Sequence, residues 1–412
     1  MAVPGAQQGR STREWIIRAI IAGGIAAIGF WTMSHTIADM LRTRNLRQAY
    51  AIAPDDARIL AQLSNEELLH DPSVRGRVVA RRLAQAALLR DPAAVTAVAT
   101  LGIEAQLRGN TQLARRIFTY SELLSRRNLA TQLWAIEDAV GRRDISGALR
   151  HYDIALRTSR ESSKLLFPVL SSAISDAKIR NSLISTLANK PSWSIGFIYH
   201  LAASGNDPRA AALLFDGMRR KGIQVPEAAH TALINTLIAN GFVENAWMFY
   251  VTTHPGSNRR RTRDPYFSAN VATPSPFDWI PADEGSISAS IQRSTEGGAV
   301  FDFAAPASVG GTVLQQLQLL SPGQYRLQGR SIGIEQASES QPYWTLTCRD
   351  GRELGQISIQ NSSQSAGLFE GVFSVPSDCS VQTLSLIVRP SDMQSGVTGQ
   401  ITQLLLEPVS RP

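Results

Sequence analysis

From residue 19 to residue 38 the chain carries no formally charged side chain; the run opens AIIAGGIAAIGFWTM and closes SHTIA. No other feature limits the fold as strongly. Twenty helical residues at 1.5 Å rise cover about 30 Å, the hydrocarbon thickness of a bilayer. Trp15 and Trp31 sit where interfacial aromatics belong. Residues 14–39 are therefore expected to form a transmembrane helix behind a cytoplasmic tail, residues 1–13. A cleaved signal peptide is the alternative, although the apolar run is long for one and the small-residue cleavage pattern after Met33 is poor. A buried soluble helix is a second alternative. Arg10, Arg13 and Arg18 on one side balance Arg42, Arg44 and Arg47 on the other, so the positive-inside rule does not orient the span. Ala22/Ala26 and Gly23/Ala27 form small-xxx-small pairs of the kind that lets two such helices pack.

At 412 residues the chain is long enough for two or three domains, and 43% hydrophobic content supplies sizeable cores. Two cysteines exclude a disulfide-rich scaffold and a four-cysteine zinc site. Charge is divided: residues 40–264 hold 31 Lys/Arg against 19 Asp/Glu, a balance of +12, whereas residues 265–412 hold 7 against 13, a balance of −6. A basic middle and an acidic end mark separate modules.

The middle repeats. AYAIAPDDA from residue 49 returns as AALLRDPAA from residue 86. The next unit carries Leu101, Gly102, Ala114 and Phe118, with Arg126 at 34 residues from Pro92. Ala148, Tyr152 and Ala155 each follow Ala114, Phe118 and Ser121 by 34, and Arg160 follows Arg126 by the same step. Small residues let antiparallel helices approach, an aromatic fills the space between hairpins, and a polar turn starts the next unit. Residues 46–160 resemble the tetratricopeptide repeat family at Leu101, Gly102, Ala87, Ala114, Phe118 and Pro92, and depart from it in the third unit, which lacks the early Leu-Gly pair. The resemblance implies an α-solenoid that binds partner proteins on a concave face. Helix-turn-helix patterning persists onward, with stops at Gly222 and Asn240-Gly241, so the whole of 42–254 is expected to be all-α solenoid. An ordinary helical bundle is the plain alternative. Arg81-Arg82, Arg115-Arg116, Arg126-Arg127 and Arg142-Arg143 recur on successive helices. They mark either a solvated face or a site for an anionic partner such as acidic polysaccharide or phospholipid headgroups. No aromatic-interleaved motif points to nucleic acid.

Residues 255–276, with their Gly, Pro, Ser and arginine cluster, form a linker. Beyond it come short alternating runs: GAVFDFA, TVLQQLQL, GQYRLQG, YWTLTC, GQISIQ, GLFEGVFSV, TLSLIVR and GQITQLLLEP. Gln316 and Gln318 alternate with Leu317 and Leu319, while Trp344, Leu346 and Cys348 share one face of a strand. Residues 277–412 are expected to form an all-β sandwich. QLQLLSPGQYRLQG, YWTLTC, FSVPSDC and the closing GQITQLLLEP resemble jelly-roll carbohydrate-binding modules in texture, without an invariant motif. That resemblance implies glycan binding through aromatic stacking and polar side chains, for which Trp279, Tyr343 and Arg330 are candidates. Each has a structural alternative; Trp279 also fits as a staple between linker and sandwich.

Catalytic and metal motifs are not found. Gly329-Arg330-Ser331-Ile332-Gly333 matches the nucleophile-elbow pattern, but no helix-like segment follows and all six histidines precede Ser331. Asp350 and Glu353 have a spacing common in turns. No enzyme activity, metal site or cofactor is expected. Cys348 and Cys379 lie 31 residues apart in the β domain with no histidine nearby to activate a thiol. A disulfide accounts for both; two free thiols in a reducing compartment remain the alternative. A disulfide places the bulk of the chain in an oxidising compartment. The expectation is then a single-pass protein of the bacterial inner membrane with a periplasmic body. It would be a non-catalytic envelope scaffold whose solenoid binds envelope proteins and whose sandwich binds glycan, in polysaccharide synthesis or export. Two alternatives stand beside it: a glycan-acting enzyme with an inter-domain site, and a cytoplasm-facing adaptor for an anionic partner.

Overall fold

The computed structural model describes residues 12–204, 206–282, 285–294 and 298–409. Of the expected tail, residues 1–11 lie outside these, as do the last three residues of the expected sandwich. The protein is a series of helices followed by a two-layer β-sandwich. It divides into two compact units, split between Leu166 and Phe167.

The first unit begins with α1 (Thr12–Leu41), a single 30-residue helix. Residues Trp15–Leu41 have a mean hydropathy of 1.8 and their apolar side chains are exposed, Phe30 at 76%. Such a helix is long enough to cross a bilayer, and a signal sequence satisfies the same test. Only its end packs: Ala38 joins Ala49 of α2 (Leu46–Ile52), Ala53 and Ile59 in a small apolar cluster.

Next come three helical hairpins: α3 (Ala57–His70) with α4 (Val74–Arg90), α5 (Val95–Leu107) with α6 (Thr111–Leu124), and α7 (Leu129–Gly141) with α8 (Ile145–Thr158). The starts of α5 and α7, and of α6 and α8, are 34 residues apart, the period seen in the sequence. Asp56, Ser73, Asn110, Asn128 and Asp144 each cap a helix by accepting a backbone N–H. Gly102 is small because a Cβ there would lie 2.7 Å from the Phe118 ring, which in turn stacks on Trp134 at 4.5 Å.

The arginine pairs acquire a use. Glu104, buried, accepts from Arg81 of the preceding helix and forms an ion pair with Arg108 one turn on, at 2.9 Å. Asp138 accepts from Arg115 at 2.6 Å and Arg142 at 3.1 Å. Every member of the second triad follows its counterpart in the first by 34 residues. The repeat thus carries a carboxylate that ties neighbouring helices together, and its arginines satisfy a charge that burial would otherwise penalise. Arg82 and Arg116 remain exposed.

The split between the units falls within α9 (Ser162–Ala173). The second unit then holds α10 (Ala177–Leu187), α11 (Ser194–Ser204), α12 (Pro208–Arg220), α13 (Glu227–Ala239) and α14 (Val243–Thr253). Gly222 and Gly241 end α12 and α13 with φ of 70° and 82°, a conformation that favours glycine.

The sandwich follows: β1 (Ile280–Pro281), β2 (Ser288–Ser294), β3 (Gly298–Ala305), β4 (Gly311–Gln318), β5 (Gly323–Ile332), β6 (Tyr343–Cys348), β7 (Glu353–Ser358), β8 (Leu368–Val375), β9 (Gln382–Val388) and β10 (Val397–Pro408). One sheet has the order β1-β4-β9-β6-β7 and the other β2-β3-β10-β5-β8, with antiparallel pairs throughout. The chain crosses between the sheets at most connections, the weave of a jelly roll. Between them lies one core built on Tyr325, Phe301, Phe303, Phe373 and Trp344. Strand β2 adds to the runs expected from sequence; its Ser288, Ser290 and Gln292 point outward and leave few apolar residues to signal it.

The glutamines of β4, not Leu317, face the core, and Leu319 just beyond the strand is buried as well. Gln316 and Gln318 are fully buried on the inner face, in register with Leu384 and Gln382, while Leu317 is half-buried outside. The inner face is polar here because it receives Arg263 from the segment before the sandwich. Cys348, at the end of β6, is bonded to Cys379 with a Cα–Cα separation of 5.7 Å. A disulfide points to an oxidising compartment.

Candidate functional site

Residues 254–279 do not hang loosely between helices and sheets. They form an ordered strap, and its central stretch runs beside β10: the N–H of Thr262 donates to the Leu406 carbonyl at 3.2 Å, and the N–H of Leu404 to the Pro265 carbonyl at 2.9 Å. This pairing aims the Arg263 side chain between the sheets. Its Nε donates to the Phe277 carbonyl at 2.7 Å, one Nη to Gln318 at 3.3 Å and the other to the Leu317 carbonyl. Its backbone N–H and C=O both meet the Gln316 amide. The guanidinium is buried, and the rings of Trp247 and Phe277 lie 5.6 and 5.8 Å from it. Burial lowers its pKa to about 10, against the opposing pull of Tyr250 and Asp278.

The other side of this arrangement is the end of α14. Tyr250 and His254 are one turn apart, and their rings stack at 4.1 Å with 10° between planes. The Tyr250 hydroxyl donates to Asp278 at 2.7 Å, whose second oxygen accepts the N–H and O–H of Ser275 at 2.9 and 2.7 Å. Burial, and then the charge of Asp278, holds the phenol protonated well above the usual tyrosine range. Asp264 adopts a left-handed backbone, φ 49°, and its carboxylate accepts from Ser268 and Ala269 at 2.7–2.9 Å.

Between α14, the strap and β2 lies a cleft of about 880 Å³. The stacked Tyr250 and His254 form one wall, Ser290 and Arg293 of β2 another, and Asn270 lies on the strap side. Trp279 also lines it, although 4% exposed; its indole N–H donates to the Asp264 carbonyl at 2.9 Å, and its ring packs near Phe267 and Trp344. Both carboxylates facing the cleft, Asp264 and Asp278, are occupied by donors of the protein itself. Among the described residues no group of three His, Cys, Asp or Glu side chains is placed to hold a metal ion.

The three candidates drawn from sequence fall in three places. Trp279 lies deep in the cleft as the staple between strap and core. Tyr343 stands on the outer face of the first sheet, half-buried beneath the Arg389 guanidinium at 4.3 Å. Arg330 is exposed on the outer face of the second sheet, in register with Gln403 and Leu368. Ser331 is buried within β5 and bonded to Ser362 and the Gly367 carbonyl, so its G-x-S-x-G context is not a strand-to-helix elbow. Tyr250, His254 and Arg263 were not anticipated. Their sequence signal is slight: one arginine of the four in RRRTR, and aromatics in a segment patterned as an ordinary helix.

No protein-family model and no curated protein matches this chain. Among solved structures, a glycosylation-associated protein complex from Streptococcus agalactiae is similar over 30% of this chain and 40% of its own, at 14% identity and a TM-score of 0.21. A CBM22-1 xylan-binding domain from Paenibacillus barcinonensis is similar over 36% of this chain and 93% of its own, at 11% identity and 0.24. A CBM4 structure is similar over 36% and 99%, at 14% identity and 0.26. This chain spans well under half of the Streptococcus chain, and likenesses this slight carry no argument for fold or ligand.

Proposed function

We propose that the protein is a non-catalytic scaffold of the bacterial cell envelope that binds glycan in the cleft beside the strap. In this reading α1 is an uncleaved inner-membrane anchor and the disulfide-bonded body is periplasmic. The tetratricopeptide-like hairpins of residues 46–160 hold partner proteins, and the assembly serves polysaccharide synthesis or export. The observation that carries the reading is the cleft itself. It pairs one half-buried ring, His254, backed by the buried Tyr250, with hydrogen-bonding groups from Arg293, Asn270 and Ser290. Sugars are held by that combination of ring faces and convergent polar groups. The engaged state of Asp264 and Asp278 supports binding over hydrolysis, which needs two available carboxyl groups across the bond to be cleaved.

A second reading places the glycan on the outer face of the second sheet. A depression of about 400 Å³ there is lined by Gln328, Glu370 and Gln403, and Arg330 stands beside it. Tyr266, 57% exposed, lies within 3.4 Å of Gln403. A glycan array probed with the full chain in detergent micelles tests both. Binding that falls about tenfold in Arg293→Ala or His254→Ala supports the cleft. Binding that falls instead in Arg330→Ala supports the sheet face, and an array without signal refutes glycan binding altogether.

A further inference from the structure

Immediately after α1 ends at Leu41, the chain turns through residues 42–45 into α2, and the turn overhangs one face of α3. Between them is a depression of about 650 Å³. From the turn side it is lined by Arg42, Arg44 and Arg47; from α3 it is lined by Gln62, Glu66 and Leu69, which share a helical face at spacings of four and three. Arg42 is held by Asp39 at 3.0 Å. Arg44 and Arg47 are exposed and take part in no ion pair among the described residues. The Gln62 Oε1 atom is buried and has no hydrogen-bond partner. Leu69 is 73% exposed, an apolar side chain beside two free arginines.

Of these, the buried oxygen is the costly one for a surface that faces only water. A buried amide oxygen without a donor loses the hydrogen bond it had with solvent. The position explains them together. If α1 spans the bilayer, the residues that follow its apolar stretch lie at headgroup depth, where arginines meet phosphates and leucines meet glycerol and the first methylenes. The arginines supply donors for one phosphodiester. Gln62 and Glu66 are acceptors, so the rest of the ligand must offer donors and no second negative charge; with Arg42 paired to Asp39, Arg44, Arg47 and Glu66 leave a balance of +1, which a singly anionic headgroup with hydroxyl donors matches and a zwitterion does not.

We infer that this depression holds the headgroup of an anionic, hydroxyl-bearing phospholipid of the phosphatidylglycerol type: phosphodiester on Arg44 and Arg47, glycerol hydroxyls toward Gln62 and Glu66, and Leu69 against the acyl-glycerol boundary. The inference rests on the reading of α1 as a membrane span. It makes the first unit selective for the lipid around its own anchor, independently of any glycan bound elsewhere.

The test is native mass spectrometry of the full chain released from nanodiscs containing phosphatidylcholine with equal minor amounts of phosphatidylglycerol, phosphatidylethanolamine and phosphatidic acid. Phosphatidylglycerol is expected to be retained several-fold above the others. The Arg44→Gln/Arg47→Gln variant is expected to lose about tenfold of that retention. Gln62→Leu is expected to bring phosphatidylglycerol down to the level of phosphatidic acid, which lacks the hydroxyls. Equal retention of all lipids, preference for phosphatidylethanolamine, or retention unchanged in the double arginine variant overturns the inference. Competition by soluble glycerol phosphate at matched concentration overturns the lipid as its source. Flotation with phosphatidylcholine vesicles separates the two failures. A chain that floats without lipid preference keeps its anchor and loses the headgroup site, whereas a chain that does not float loses both.

Discussion

Replacing Arg263 with methionine keeps much of the side-chain volume and removes the donors that join strap to sandwich. Three buried acceptors lose their partner: the carbonyls of Phe277 and Leu317 and the Gln318 amide oxygen. Each unsatisfied buried acceptor costs about 1–3 kcal/mol. The guanidinium itself bears a desolvation cost, visible in its lowered pKa of about 10, and methionine relieves it. Taking two of the three acceptors as left dry and subtracting that relief gives a net loss of about 3 kcal/mol. For a unit of the size of Phe167–Pro412 this corresponds to a fall in Tm of about 6–12 °C. Differential scanning fluorimetry of the full chain in detergent reads it. Arg263→Lys retains the charge without the planar fork and should fall between wild type and Arg263→Met. A methionine variant as stable as wild type, with the same glycan binding, would refute the claim that Arg263 organises the strap and the cleft.

Gly102→Ala places a Cβ 2.7 Å from the Phe118 ring, and the overpacking should cost about 1–3 kcal/mol, measured as a lower urea midpoint for the first unit. The Asp138 carboxyl is held below its ordinary pKa, first by its hydrogen bond with Arg115 and further by Arg142, against burial. Its contribution is therefore present above the unfolded carboxylate pKa of about 3.9 and is lost as pH falls through the lower folded value; Asp138→Asn should remove about 1–2 kcal/mol at pH 7 and almost nothing at pH 2 in urea titrations. Cys348→Ser/Cys379→Ser opens a loop closed across 31 residues and should cost about 3–4 kcal/mol, while wild-type thiols should resist alkylation in intact cells until a reductant is added.

The helical period and the sheet faces were legible because both rest on local repetition. Gly102, Ala114 and Phe118 announce hairpins 34 residues apart, and Trp344, Leu346 and Cys348 alternate as an inner face must. The ion-pair triads are equally periodic, but their carboxylates, Glu104 and Asp138, are single residues without the doubled signal of the arginine pairs. Spacing Glu104 and Asp138 against them shows that three of the eight paired arginines, Arg81, Arg115 and Arg142, are tied to carboxylates of the fold. The cleft was hidden for a different reason. It depends on contacts across long separations, such as Arg263 with Leu317 and Tyr250 with Asp278, which no short window of sequence records. The buried Gln316 and Gln318 show the same effect: a polar residue faces inward when a charge from a distant segment arrives to meet it.

Hydrogen–deuterium exchange of the full chain, with and without a glycan that binds it, locates the ligand directly. The account predicts protection of residues 254–271 and 288–293, the strap and strand that wall the cleft. Protection confined to residues 326–330, 368–370 and 403, on the outer face of the second sheet, would contradict it.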